Sequence, residues 1–134
     1  MSIVRDISSI LSKTSRNTVG NPALGDFFKT FNRSGDLAVT TGTQRFYLVA
    51  PSELKNVEAY VKTAPVGADA TFAIIKNGSS TIKTVTISAG NTSSGDNLSE
   101  IALAEGDFLT VNITQVGSST AGADLYINLS FNKG

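Results

Sequence analysis

From about residue 36 onward the chain alternates apolar and polar side chains. Val57, Ala59 and Val61 are spaced by Glu58, Tyr60 and Lys62; Phe72 and Ile74 by Thr71 and Ala73. Leu109, Val111 and Ile113 are spaced by Thr110, Asn112 and Thr114, and Leu125, Ile127, Leu129 and Phe131 by Tyr126, Asn128 and Ser130. A period of two marks strands with one face buried and one face wet, and Thr, Asn and Ser suit a solvated sheet face. Asn77-Gly78 between two such runs is a hairpin signal, and Gly35-Asp36, Thr41-Gly42, Pro65-Val66-Gly67, Gly95-Asp96, Gly106-Asp107 and Ala121-Gly122 are further turn chemistry. The pattern predicts about eight strands: 36–41, 44–50, 54–63, 69–76, 80–88, 98–104, 107–116 and 123–132. Ile82 is out of step with Val85 and Ile87. Either a β-bulge near Lys83-Thr84 restores the parity, or Ile82 sits in a turn exit and only the later pair points inward, which is the simpler expectation. The fold class expected is all-β, an antiparallel β-sandwich of jelly-roll type.

The first 34 residues follow another rhythm. Ile3, Val4, Ile7, Ile10 and Leu11 form the stripe of an amphipathic helix of about three turns, with Ser2 as its cap. After a polar stretch from Lys13 to Asn21, the residues Leu24, Phe27, Phe28 and Phe31 suggest a second short helix behind Pro22, although Gly25 weakens it. The expected division is therefore an N-terminal arm with one or two short helices, 1–34, and a β-sandwich domain, 35–134. The arm carries five basic and two acidic residues, net +3, and the remainder six and nine, net −3. A three-turn helix is marginal by itself. Its aliphatic side chains gain about 1.5–3 kcal/mol each only by finding a surface, which could be the chain's own sheets or a neighbouring molecule.

Composition removes much chemistry. The 134 residues include no Cys and no His, so disulfides, thiolate or imidazole ligands, cysteine nucleophiles and Ser-His-Asp triads are excluded. Formal net charge is zero, and Arg45, Lys55, Lys62, Lys76 and Lys83 are scattered, so no nucleic-acid footprint forms. No apolar run is long enough to span a membrane, and no secretory leader is legible. Ser, Thr and Asn together number 41, so the Asn-x-Ser/Thr triplets at Asn32, Asn77, Asn91, Asn97, Asn112 and Asn128 arise by chance. Asp96, Glu100, Glu105 and Asp107 form an acidic cluster that could suggest sugar hydrolysis or Ca²⁺ binding. Asp96 to Glu100 lacks EF-hand spacing, however, and loop or turn roles explain the four. No catalytic residue, metal ligand or cofactor is expected.

One stretch has familiar wording. Thr63-Ala64-Pro65-Val66-Gly67, Asn77-Gly78-Ser79, Gly106-Asp107-Phe108-Leu109-Thr110-Val111 and Val116-Gly117-Ser118-Ser119-Thr120-Ala121-Gly122-Ala123-Asp124-Leu125 occur in order over residues 61–129. Together they resemble the small β-sandwich modules of tailed-bacteriophage virion proteins, which recur in capsid decoration (cement) proteins, tail fibres and baseplates. The resemblance implies a structural virion protein, assembled in the host cytoplasm as a homotrimer, with the major capsid protein or another virion protein as partner. The first reading is a decoration protein gripping the shell through Ile3, Val4, Ile7, Ile10, Leu11, Leu24, Phe27, Phe28 and Phe31. The alternative is a tail fibre or baseplate receptor-binding component that uses the loops 90–99 and 117–122.

Overall fold

Alternation becomes pleat over most of the chain. The computed structural model describes residues 26–133 and is all-β there, with eight strands and no helix. In chain order they are β1 (Asp26–Asp36), β2 (Phe46–Tyr47), β3 (Ser52–Thr63), β4 (Ala70–Lys76), β5 (Ser80–Ile87), β6 (Leu98–Leu103), β7 (Phe108–Gln115) and β8 (Ala123–Lys133). They form two antiparallel four-stranded sheets, ordered β1-β8-β3-β6 and β2-β7-β4-β5. Apart from the β4–β5 hairpin, every connection crosses from one sheet to the other. The inward faces share one core, in which Phe72, Ile74, Val85, Ile87 and Leu109 of one sheet meet Leu54, Val57, Ile127, Leu129 and Phe131 of the other.

The strand count agrees with the sequence pattern, but two placements do not. The expected strand 36–41 is a crossing. Leu37 N–H donates to Gly122 O (2.9 Å) beside one sheet, and Thr40 pairs with Ile113 of the other. A segment that bridges two sheets cannot ladder with either. The next expected strand, 44–50, shortens to Phe46–Tyr47, paired with Leu109 and Phe108.

The second correction concerns the arm. Residues 26–36 form β1, hydrogen-bonded along β8 from Asp26↔Asn132 to Asp36↔Ala123. The second helix expected from Leu24, Phe27, Phe28 and Phe31 is therefore not formed over Phe27, Phe28 and Phe31. Spacing of four residues is shared by a helix turn and by one face of a strand. What hid the alternation is Lys29, which sits inward between Phe27 and Phe31, its ammonium 5.4 Å from the Phe31 ring centroid and 5.8 Å from that of Phe46. The aromatic faces accept the charge and the aliphatic stem packs along them. The composition change near residue 34 falls inside this strand, so 26–34 belongs to the sheet and not to a separate arm. Leu24 and the stripe at Ile3, Val4, Ile7, Ile10 and Leu11 lie outside the described residues.

Bulges explain the parity breaks. Ile74 faces Lys83 and Ile75 faces Thr81, leaving Ile82 as the extra residue, half-buried against the core. Thus Ile82 is in the strand and not in a turn exit, and the bulge lies one residue before Lys83. Lys55 is skipped likewise, so that Leu54 and Val57 both point inward. The Asn77-Gly78 hairpin forms as expected. Both residues have positive φ (55° and 78°) and Ser79 N–H donates to Lys76 O, a type I′ turn. Asn77 also ties this turn to the next one along. Its amide donates to Asp107 (3.0 Å), its carbonyl accepts from Phe108 N–H (3.0 Å), and Asp107 accepts from Ala104 N–H (2.9 Å). The Asn77 hydrogen bond, followed by that of Ala104, holds the Asp107 carboxyl below the usual carboxylate range.

Two measurements check these assignments. In urea unfolding, Phe31→Ala is expected to lose about 3–5 kcal/mol and Phe28→Ala less than about 0.5 kcal/mol, because Phe31 is 6% exposed and Phe28 74%. Equal small losses would mean that β1 does not close the core. For the turn lock, the sign follows from a lowered folded-state pKa: its stabilisation is present above the unfolded carboxyl range and is lost as pH falls through the folded value. Asn77→Gly, which keeps the positive φ, is therefore expected to lower Tm at pH 7 and to trail the parent by a narrower margin at pH 2–3. Thermal melts across that range read the difference.

Candidate partner-binding surface

β1 is eleven residues long, whereas β2 on the facing sheet is two. The facing sheet therefore stops short on this side, and the inward face of β1 is incompletely covered. Two clefts result. One, about 140 Å³, lies between Phe31 and the crossing segment at Thr40 and Gly42, with Val111, Ile113 and Ile127 inside. The other, about 480 Å³, is lined by Phe27, Phe28, Phe46, Tyr47 and Val49, with Asp26 and Lys133 among its polar residues. Its volume falls in the range of sites that seat a compact apolar group.

Aromatic packing makes this second cleft firm. Phe27 stacks on Phe131 (centroids 4.7 Å apart, planes within 9°), and Phe46 leans against both at 6.4 and 5.6 Å. Offset and tilted rings at such distances are favourable contacts. The rim is what stands out. Phe28, Tyr47 and Val49 are exposed, Val49 by 86%, and all three border the same opening at the end where residue 26 begins. Tyr47 is fixed from behind: its hydroxyl accepts from Arg45 (2.8 Å), whose guanidinium lies 4.1 Å from the Phe108 ring centroid.

Of the nine contact residues expected from the sequence, three are described, and they divide. Phe31 is core, Phe27 is part of the cleft wall, and Phe28 alone points outward. Phe46, Tyr47 and Val49 were not singled out as contact residues. The signal available was an apolar residue at every position of Phe46-Tyr47-Leu48-Val49, where alternation alone would place polar groups at 47 and 49.

The acidic residues are engaged separately. Asp96 accepts from the Asn56 amide (3.2 Å), Glu100 lies 3.7 Å from Lys55, and Asp107 serves the turn lock. Among the described residues no group of three or more acidic side chains is placed to hold a metal ion. Tyr60 donates to Glu58 (2.9 Å), and that hydrogen bond pushes its phenol above the ordinary value.

The two loops considered for receptor binding use much of their polar capacity internally. Residues 92–97 run beside β3 through Val61 N–H to Thr92 O, Ser94 N–H to Ala59 O and Val57 N–H to Asn97 O, while the Asn97 side chain donates to Val57 O and Gly95 O. In the other loop, Val66 exchanges hydrogen bonds with Thr120 and Ser119. A Cβ at Gly117 would lie 1.9 Å from Thr120 O, so this backbone is closely packed. No protein-family model and no curated protein matches the chain.

Proposed function

We propose that this chain is a structural, non-enzymatic component of a tailed-phage virion, a capsid decoration protein held on the shell through its N-terminal segment. The observation that carries the reading is the concentration of exposed apolar side chains, Phe28, Tyr47 and Val49, at the end of the body where that segment joins. The outward positions of β8 are instead Tyr, Asn and Ser, suited to water. An apolar stripe at Ile3, Val4, Ile7, Ile10 and Leu11 attached beside an apolar end makes a two-part grip, and repetition over many shell sites multiplies weak individual contacts.

The sheet orders support a finer description of the body. Numbered along the chain, 1-8-3-6 facing 2-7-4-5 is the order of an eight-stranded jelly roll, in which all but one connection passes between sheets. Such a body offers a rigid, polar platform for display. The partner in this reading is the major capsid protein, the location is the virion, and the assembled unit is a homotrimer.

Capsids stripped of this protein and re-incubated with it test the assignment. Removing residues 1–20 is expected to abolish occupancy. Ile7→Ala is expected to weaken binding about tenfold or more, since 1.4 kcal/mol is a factor of ten and a buried aliphatic side chain supplies about 1.5–3 kcal/mol. Undiminished occupancy after the truncation would remove the proposal.

A further inference from the structure

We propose that the outer face of the sheet β2-β7-β4-β5 carries a binding site for one acidic sugar ring, a hexuronic acid, in a cleft of about 190 Å³ beside Arg45, Phe108 and Thr110. This cleft shares no lining residue with the apolar opening at Phe27 and Phe46. The site goes beyond the shell reading and does not rest on it.

An unmatched hydroxyl locates the site. Leu109 and Ile113 of β7 are buried in the core, so the period of two puts Thr110 and Asn112 on the outer face. Such a face ordinarily meets water, yet Thr110 is only 6% exposed. It pairs with Ile75 of β4, and both line the cleft together with segment 41–45 and Gly78 of the β4–β5 hairpin. Ser52, the other buried polar residue among those described, donates to Ala50 O (2.9 Å). The Thr110 hydroxyl has no hydrogen-bond partner among the described residues. A buried hydroxyl left so is costly, and buried polar groups are ordinarily satisfied. A partner from outside the chain completes it.

The groups around that hydroxyl are held in advance. Thr40 and Ile113 exchange two backbone hydrogen bonds (3.0 and 2.9 Å), and Gly42 N–H donates to the Asn112 side-chain oxygen (3.0 Å). The crossing lies so close to β7 that a Cβ on Gly42 would strike Val111 O. Arg45 is fixed by the Tyr47 hydroxyl and the Phe108 ring, and it is the one charged residue among the described residues that line the cleft. Asp107, next to Phe108 in sequence, is engaged by Asn77 and Ala104 and does not line it. The guanidinium and the Asn112 NH2 are donors, which select an acceptor-rich anion such as a carboxylate. The hydroxyls of Thr41, Thr43 and Thr110 both donate and accept, which matches ring hydroxyls, and Ile75 and Phe108 offer apolar area to the C–H face of a sugar. The volume is several times the share of one water, about 30 Å³, and lies below the roughly 300 Å³ where larger ligand sites begin. It suits a single ring.

The test is a titration of the full-length, ¹⁵N-labelled protein with glucuronate, glucose and sulfate at constant ionic strength, read from assigned amide signals. Glucuronate is expected to shift Gly42, Thr43, Thr110 and Asn112 saturably, with a Kd on the order of 1 mM. Glucose and sulfate are each expected to bind at least tenfold more weakly. Arg45→Gln is expected to remove the preference for glucuronate over glucose. Thr110→Val is expected to weaken glucuronate at least fivefold while Tm stays the same or rises, because it deletes a hydroxyl that the protein itself does not satisfy. Absence of saturable shifts at these amides would overturn the site. Sulfate binding as well as glucuronate would reduce it to a plain anion site and overturn the sugar, and glucose binding as well would overturn the role of Arg45. Unchanged affinity in Thr110→Val, or a Tm lowered by several degrees, would show that the hydroxyl serves the fold and overturn the argument from its burial.

Discussion

The pairing of β8 with strands on both of its sides is the constraint on which the rest depends. Leu125, Ile127, Leu129 and Phe131 are buried on its inner face, and its backbone is hydrogen-bonded to β1 and to β3. The contact between β1 and β8 joins residues nearly a hundred positions apart, as in Thr30 to Asn128, separated by 98. Its loop closure must therefore be met before the contact stabilises anything. Because nearly every connection changes sheets, neither sheet can be completed by one continuous piece of chain. Folding must be strongly cooperative and slow relative to helical proteins of the same length, as high contact order dictates.

That arrangement also produces the open side. β1 requires only β8 as a partner, so its length is set by β8, while β2 is limited to two residues by the crossing before it and the turn after it. The mismatch leaves aromatic side chains half covered. Lys29 sits at this gap as an inward-facing cation on an edge strand, a device that discourages pairing with a stray strand, and the register break between Arg33 and Asp36 bends the far end of the same edge. The opening thus suits side-chain docking better than extension of the sheet.

Much of the body was legible because the relevant physics is local. The alternation of β3, β4, β7 and β8 reports burial directly, and Asn77-Gly78 names its turn by the backbone conformation it permits. The failures were non-local. Residues 36–41 alternate like a strand, but they cross between sheets and have no continuous partner. Phe27 and Phe31 read as a helix stripe because the inward Lys29 is tolerated only by rings brought from elsewhere in the chain, Phe46 above all. Ile82 needed the register of two strands to be explained. The candidate surface was not legible, because the cleft is assembled from β1, β2 and the segment after it, and no single window of sequence contains it.

A rigid polar body with one apolar end imposes an energetic condition on any partner. Association costs translational and rotational freedom and the ordering of side chains, and only the surplus of contact over that cost appears as affinity. A flat apolar patch would not meet that condition alone. It is met by a partner that engages Phe28, Tyr47 and Val49 at once, because several contacts then share one loss of translational freedom. Phe28, Tyr47 and Val49 meet one side of that condition, because they stand together at one opening and are not scattered over the body.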